Sequence, residues 1–348
     1  MNTRNKGHNL RRDSSAGQNR GVSNLTVDVL VTAVGTTTAV SVIKGLRKQH
    51  EFDIRVVGTD INTNHDIAGS RFCDSFFTVP KASRENQFIA ALAGIARDES
   101  IDLLIPVFDA EIEVISRRRN AFPKKTFLLL SPHNTVTTCN DKLKTLNFFN
   151  GAGIPTLKTY AASNVEEFGD LVKKGNLSLP CIVKPRRGVG SKDVYEVRTK
   201  DELCLIDRVE EPIVQEMGKG IEYTIDIFCA QGRPVAIVPR RRIETKAGIS
   251  YKGETSRDPD LVRYAKRIAS ALPIVGPANF QCFKDGRDVR FFEINPRFSG
   301  GLPLTIAAGM NTPHMALKLA TGMGLRPKSR FKTVRMCRYW EEVFYEGG

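Results

Sequence analysis

Residues 291–301, FFEINPRFSGG, form the most informative segment of this chain. Alternating runs at residues 278–283 (ANFQCF) and 288–290 (DVR) precede it. Residues 284–287 (KDGR) between these runs have the composition of a turn. The pattern predicts a β-hairpin whose second strand ends at Pro296, because a proline nitrogen cannot donate to a sheet ladder.

Two oxygen-bearing side chains of this segment are expected to share one face. Glu293 and Asn295 are two residues apart, and alternate residues of a strand point the same way. Hard oxygen ligands followed by Arg297 suit Mg²⁺ that carries a nucleotide polyphosphate. The alternative is a buried strand end in which the carboxylate pairs with Arg297.

Composition excludes several classes of protein. The chain has 348 residues, enough for two or three domains, and no run approaches the roughly 18 apolar residues of a membrane helix. Its amino terminus lacks the apolar segment of a secretory signal. Its seven scattered cysteines form no C-x-x-C pair, which argues against a zinc site and favours a reducing, cytoplasmic location.

The formal charge of +14 indicates anionic partners. Five basic residues lie in residues 1–24, a polar segment that we expect to be a disordered leader. The remaining excess fits nucleic acid or small polyphosphate and carboxylate substrates. We favour small molecules over nucleic acid, because no nucleic-acid fold signature or aromatic–basic interleaving is present.

Residues 25–132 are expected to form an α/β domain. An apolar strand at 27–31, a glycine-containing turn and a helix lead to a second strand at 56–60, which is a βαβ unit. A third strand at 102–107 is followed by Asp109 and Glu111. Ligands bind at the carboxyl ends of such strands, so both acids are candidates for a substrate amine. Alternatively, they stabilise the start of the next helix.

A glycine-containing loop follows the strand at residues 179–185. This strand ends with Lys184, and residues 186–193 read RRGVGSKD. Glycines let backbone N–H groups approach an anion, Ser191 adds a hydroxyl, and Lys184 adds a charge, which together predict a phosphate cover. A plain charged hairpin is the alternative.

Residues 221–228 alternate so that three polar side chains, Glu222, Thr224 and Asp226, can line one face. The following strand leads into residues 239–248, PRRRIETKAG, which carry four cations. These cations either contact an anion or form a solvated face.

In this order the motifs resemble the ATP-grasp superfamily, most closely carboxylate–amine ligases similar to half of a carbamoyl-phosphate synthase large subunit. The resemblance covers roughly residues 25–324. It rests on N-D-K at 140–142, V-K-P with R-R-G-V-G-S-K-D at 183–193, Q-E-M at 215–217, G-I-E-Y-T-I-D at 220–226, and F-Q-C-F with F-E-I-N-P-R at 280–297.

The resemblance implies α/β and α+β architecture: a Rossmann-like precursor domain followed by a two-lobed ATP-grasp fold. The implied divisions are a leader at 1–24, the precursor domain at 25–132, a small lobe at 133–218, a large lobe at 219–326 and a tail at 327–348. A dimer through the first domain is also possible.

The resemblance also implies a role for each motif residue. Lys142 and Lys184 would hold the ATP phosphates, under a loop that contains Gly188, Gly190 and Ser191. Glu216 and the Met217 backbone would meet the adenine edge, and Glu222 the ribose. Gln281, Glu293 and Asn295 would bind Mg²⁺ or Mn²⁺. Arg297 would stabilise the transferred phosphate. Arg242 and Lys246 would bind the acylphosphate or the substrate carboxylate.

The metal assignment requires Gln281 to share a face with Glu293. A two-residue turn at Asp285 and Gly286 would pair Gln281 with Arg290 and point it away. We therefore predict a three-residue turn with a bulge, which pairs Gln281 with Phe291.

The implied activity is ATP-dependent ligation of a carboxylate to an amine through an acylphosphate, with small molecules as both substrates. A bicarbonate- or carbamate-phosphorylating enzyme is one alternative. Two others are a nucleic-acid-binding protein and a catalytically inactive ATP sensor.

Overall fold

The computed structural model describes residues 25–188, 190 and 192–346. The predicted leader at 1–24 and Ser191 lie outside these residues. Within them, no helix is both long enough and apolar enough to cross a membrane.

The first sheet is parallel and has the strand order β3-β2-β1-β4-β5. Its central strand, β1, is buried along Val29–Val31 because helices cover both faces, which explains its continuous apolar sequence. The elements are β1 (Leu25–Val31), α1 (Thr37–Arg47), β2 (Phe52–Asp60), β3 (Ser75–Thr78), α2 (Glu85–Asp98), β4 (Leu103–Ile105), α3 (Asp109–Arg117) and β5 (Phe127–Leu128), with short 3₁₀ helices at Ala68–Phe72 and Arg119–Ala121.

Two helices and a four-stranded antiparallel sheet follow, with the strand order β6-β9-β7-β8. Asp141 separates the two helices and caps the second by accepting hydrogen bonds from the Leu143 and Lys144 amides. The elements are α4 (His133–Asn140), α5 (Lys142–Gly151), β6 (Thr159–Ala161), α6 (Val165–Lys173), β7 (Cys181–Pro185), β8 (Tyr195–Val197), a 3₁₀ helix (Lys200–Arg208) and β9 (Pro212–Glu216).

The third sheet has the strand order β14-β13-β10-β11-β12-β15 and is antiparallel. Its alternation places apolar side chains such as Ile225 and Ile227 on one face, whereas the other face carries polar side chains such as Asp226 beside apolar ones such as Phe228. The elements are β10 (Ile221–Ala230), β11 (Arg233–Lys246), β12 (Ile249–Thr255), α7 (Pro259–Ala271), β13 (Gly276–Asp285), β14 (Asp288–Asn295), α8 (Leu302–Ala307), α9 (Thr312–Ala320) and β15 (Arg335–Cys337).

The predicted combination of a parallel α/β domain followed by two antiparallel lobes is confirmed. The proposed divisions after residues 132 and 218 fall between the sheets and remain a prediction. Within the predicted tail at 327–348, β15 pairs with β12 and so belongs to the third sheet.

The first and third sheets share one hydrophobic core. One buried cluster contains Val29 of β1 and Ile43 of α1 from the first domain. The same cluster contains Phe228 and Val238 of the third sheet. Because this core is continuous, it fixes the carboxyl ends of the parallel strands against the large lobe.

Candidate active site

A cleft of about 940 Å³ lies where the three sheets meet. Its lining includes most of the residues that the sequence selected, and these come from all three parts of the fold. They are Asp109, Lys142, Lys184, Gly188, Gly190, Glu216, Met217, Glu222, Arg242, Gln281, Glu293, Asn295 and Arg297.

Lys184 is the most deeply buried cation at the small-lobe wall of the cleft. It lies on β7, is 8% exposed, and donates from Nζ to Gln215 Oε1 at 2.7 Å. Its ammonium also lies 5.4 Å from the centre of the Phe292 ring. The pKa of Lys184 is lowered to about 8, mainly by burial, while the charge of Glu293 opposes this shift and that of Lys142 adds to it.

Lys142, the first residue of α5, reaches the glycine-containing loop. Its Nζ lies 3.4 Å from the Gly188 carbonyl oxygen, and burial lowers its pKa. Gly188 has φ +154° and Gly190 has φ +70°, conformations that glycine adopts readily. The loop therefore begins beside Lys142, and Gly188, Gly190 and both lysines line the same cleft.

The cleft also has apolar walls, formed by Leu157, Ile182, Phe283 and Phe292. The Phe283 and Phe292 rings are stacked, with centroids 5.3 Å apart. Sequence analysis missed these side chains, although Phe283 lies two residues from Gln281 and its face could have been inferred.

Glu216 and Met217 border these apolar walls. The Glu216 carboxylate is held by the Lys158 backbone N–H, which donates to Oε1 at 2.7 Å. The Met217 backbone lies at the end of β9, where strand pairing stops. The end of β9 therefore brings the Met217 backbone beside the apolar walls.

The hairpin turn differs from the prediction. Asp285 pairs with Asp288, so the turn has two residues, Gly286 and Arg287, and the predicted three-residue turn is wrong. A bulge further along the ladder changes the register between Gln281 and Cys282, and it pairs Gln281 directly with Glu293. Gln281 therefore does share the face of Glu293, but because of a mid-strand bulge.

Three oxygen-bearing side chains, those of Gln281, Glu293 and Asn295, lie on this face of β13 and β14. Asn295 Nδ2 donates to Glu293 Oε1 at 2.8 Å, and this is the hydrogen bond that orients the pair. Within the described ranges, Glu293 forms no direct ion pair with a lysine or arginine. One carboxylate and two amide oxygens fit Mg²⁺, which typically adds substrate phosphate oxygens and water to a few protein ligands.

Arg297 is fixed by the first domain. Its Nε lies 2.9 Å from both carboxylate oxygens of Asp109, the first residue of α3. Its Nη2 lies 3.3 Å from Asn295 Oδ1. Asp109 was predicted as a partner for a substrate amine, but here it is the ion-pair partner of Arg297.

Arg242 lies on the cleft face of β11. It donates to Glu222 Oε1 and to the Gly248 carbonyl oxygen, both at 2.7 Å. Its buried Nε has no hydrogen-bond partner within the described residues. Burial also raises the pKa of Glu222. The Arg242 guanidinium therefore lines the cleft in an orientation that Glu222 and Gly248 fix.

Lys246 does not line the cleft, and its predicted role is wrong in this structure. Two register shifts between Arg242 and Thr245 break the alternation of β11. Thr245 faces the cleft as a result, whereas the Lys246 ammonium lies over the Tyr251 ring, 3.9 Å from its centre.

Glu111 is also excluded from the cleft lining. It is 4% exposed and accepts a hydrogen bond from Thr32 Oγ1 at 2.5 Å. Burial raises its pKa to about 7, with a contribution from the nearby charge of Asp60. Glu111 lies on the first turn of α3, where the helix directs it into the domain interior.

Arg240 was not selected as a site residue, yet it supports the cleft floor. It is 1% exposed and its Nη2 donates to Asp226 Oδ1 at 2.6 Å and to Ser299 Oγ at 2.7 Å. A Cβ at Gly301 would lie 1.8 Å from Arg240 Nη1, so only glycine permits this packing. Its burial could not be read from a run of four cations.

Two family models match the sequence in separate regions. Residues 29–129 match a PylC-like N-terminal domain, and residues 208–342 match the family described as ATP-grasp in the biosynthetic pathway with Ter operon. The carbamoyl phosphate synthase large chain of Clostridium acetobutylicum is 23% identical over 284 residues, which cover 76% of this chain. The matched region spans 26% of that relative's length.

Solved structures share the fold. The N5-carboxyaminoimidazole synthetase of Staphylococcus aureus, complexed with ADP, has a TM-score of 0.71 at 15% identity and covers 88% of this chain and 80% of that one. The L-amino acid ligase of Bacillus licheniformis has a TM-score of 0.65 at 16% identity, with coverage of 88% and 78%. The chain therefore has the ATP-grasp fold, and it is similar to an ATP-grasp family over residues 208–342 and to a PylC-like N-terminal domain over residues 29–129.

Proposed function

We propose that this protein is an ATP-dependent carboxylate–amine ligase that releases ADP and phosphate. The observation that carries the proposal is the convergence of Lys142, Lys184, Glu293 and Arg297 on one cleft from distant parts of the chain. These residues supply the charges that a phosphoryl transfer from ATP needs, next to apolar walls that suit a base.

In the first half-reaction, a carboxylate oxygen of the substrate attacks the γ-phosphorus of ATP. The bond between that phosphorus and the β–γ bridging oxygen breaks, which yields an acylphosphate and ADP. Lys142 and Lys184 neutralise the phosphate oxygens, and Arg297 stabilises the charge that develops on the transferred group.

In the second half-reaction, an amine nitrogen attacks the acyl carbon. The carbon–oxygen bond to the phosphate breaks, phosphate leaves, and the nitrogen loses a proton to give an amide. Arg242 lines the cleft with its guanidinium, which suits an oxygen of the carboxylate or acylphosphate.

Mg²⁺ is proposed as the resident metal, held by Glu293, Asn295 and Gln281. When bound, it would neutralise charge on the ATP phosphates. Mn²⁺ fits the same oxygen ligands.

The test is ADP release by the full chain with Mg²⁺ and ATP, against pooled amino acids and small carboxylates, with mass spectrometry of the products. An acylphosphate route transfers one ¹⁸O atom from a labelled carboxylate to the released phosphate. AMP with pyrophosphate as products, or the absence of label from phosphate, would contradict the proposal. Turnover that requires bicarbonate and forms no amide would favour the bicarbonate-phosphorylating alternative.

A further inference from the structure

The segment from Arg338 to Tyr345 runs from the large lobe to the first domain. At its start, Arg338 donates from Nε to the Ser250 carbonyl oxygen at 3.0 Å and from Nη2 to the Gly300 carbonyl oxygen. Ser250 and Gly300 both line the cleft. Arg338 therefore ties the segment to one wall of the cleft.

The other end is anchored by Tyr345. Its Oη donates to the Ile67 carbonyl oxygen at 2.9 Å and lies 2.6 Å from Ser70 Oγ. Its ring packs against His65, with centroids 5.0 Å apart, and against the Arg71 guanidinium. Four contacts therefore attach the segment to the 3₁₀ helix of the first domain and the loop before it.

This 3₁₀ helix supports a second wall of the cleft. A Cβ at Gly69 would lie 1.7 Å from the Val34 carbonyl oxygen, so the helix packs directly on the loop between β1 and α1. That loop leads into Thr36–Thr38, which line the cleft, and Thr36 caps α1 by accepting from the Ala39 amide. A displacement of Tyr345 would therefore be transmitted to Thr36 through Gly69 and Val34.

We propose that residues 338–345 form a clamp that holds these two walls in the geometry that binds the carboxylate or amine substrate. Arg338 and Tyr345 are the positioning residues of this clamp. The proposal rests on the proposed ligase function for the identity of the bound molecule. The clamped walls contain none of the residues assigned to ATP. The clamp should therefore affect binding of the carboxylate or amine substrate and not binding of ATP.

A wall that is already ordered binds a small molecule more tightly, because binding then carries no entropy cost for ordering the wall. Loss of the clamp should therefore raise KM for the carboxylate or amine substrate by about tenfold while the Kd for ATP stays unchanged. A residue needed only for folding would weaken both ligands together.

The chain offers matched controls for both anchors. Tyr345→Phe removes the anchoring hydroxyl, whereas Tyr339→Phe alters a tyrosine that is 77% exposed. Arg338→Ala removes the contacts to Ser250 and Gly300, whereas Arg335→Ala alters an exposed arginine paired with Glu254. Trp340 is the single tryptophan of the chain and lies inside the segment, so its fluorescence anisotropy reports the segment's attachment.

The experiment measures three quantities in the wild type and these four variants. They are Trp340 anisotropy, amide hydrogen exchange of residues 32–38 and 299–301, and ligand affinity. The affinity is given by KM for the carboxylate or amine substrate and by Kd for ATP. We expect Tyr345→Phe and Arg338→Ala to lower the anisotropy, to speed exchange in both peptides and to raise KM alone. The two control variants should match the wild type.

Unchanged exchange in residues 32–38 after loss of anisotropy in Tyr345→Phe would overturn the clamp, because the segment would then detach without affecting the wall. Equal losses of affinity for substrate and ATP would also overturn it. Absence of any turnover by the wild type would instead count against the ligase function, while anisotropy and exchange would still decide whether the clamp exists.

Discussion

Asp109 and Arg297 join the first domain to the end of the last hairpin through a forked ion pair. Arg297 Nε lies 2.9 Å from both carboxylate oxygens of Asp109, and Nη2 lies 2.8 Å from Oδ2. Their side chains are 18% and 10% exposed, so water screens the pair weakly. The first domain therefore fixes the residue that we assign to the transferred phosphate.

Asp109→Ala should destabilise the protein, because it leaves the Arg297 guanidinium buried without its carboxylate. Breaking a buried pair by removal of one partner costs about 3–5 kcal/mol. Urea unfolding measures this loss. Asp98→Ala is the control, since Asp98 forms an exposed pair with Arg97 and should change stability by less than about 1 kcal/mol. Equal effects of the two variants would show that the interdomain pair contributes little.

Arg297→Ala should lower kcat by about a hundredfold or more, in line with the loss of one preorganised group that stabilises transition-state charge. Steady-state assays of ADP release measure the effect. Arg290→Ala is the matched control, because Arg290 lies on β14, the strand that leads to Arg297, but is exposed and pairs with Asp288. A kcat for Arg297→Ala within a few-fold of the wild type would refute its assigned role.

Glu293→Gln should raise the Mg²⁺ concentration needed for half-maximal ATP turnover by about tenfold or more, since it removes the carboxylate of the metal site. The charge-matched control is Asp288→Asn, at a position that is 58% exposed on the same strand. Titration of Mg²⁺ at saturating ATP gives the result. An identical Mg²⁺ requirement in both variants would remove Glu293 from the metal site.

ATP affinity should weaken as pH rises above about 8, because the buried Lys184 ammonium, with its pKa lowered to about 8, loses its charge there. Bound ATP favours the charged form of Lys184, so ATP binding raises the pKa of this side chain. Above pH 8 the protein therefore takes up a proton when ATP binds. Isothermal titration in buffers of different ionisation enthalpy measures the uptake. Lys184→Arg should abolish this pH dependence, because arginine stays charged. Persistence of the same slope would assign it to another group, such as Lys142.

Glu111→Gln should remove a pH-dependent destabilisation of the first domain. Burial raises the pKa of Glu111 from its usual 4.5 to about 7, so its stabilising contribution is complete below pH 4.5 and is lost as pH rises through about 7. The variant should therefore gain more stability, relative to the wild type, at pH 8 than at pH 5. Urea unfolding at both pH values tests the sign. An equal difference in unfolding free energy between the variant and the wild type at both pH values would mean that Glu111 is not protonated in the folded protein.

Much of the candidate site followed from local sequence. Glu293 and Asn295 share a face because strand side chains alternate, and Lys184 ends a strand beside a glycine-containing loop. These inferences needed only the period of a strand and the chemistry of each residue. The apolar walls escaped prediction because Leu157 and Ile182 resemble any other core side chain in sequence.

Bulges changed the outcome at two positions of the candidate site. The bulge opposite Gln281 restored its face despite a two-residue turn, while the shifts after Arg242 turned Lys246 away from the cleft. A single extra residue in a strand moves every later side chain to the opposite face of the sheet. The position of such a bulge depends on how the neighbouring strands pack.

The sequence by itself determined the order of the elements and the donor set of the cleft, because both depend on spacing over a few residues. Only the tertiary structure decided the partners: Asp109 meets Arg297 across 188 positions, and Tyr345 meets Ile67 across 278. Such pairings depend on a core that the first and third sheets share, and its geometry emerges only when the whole chain has packed.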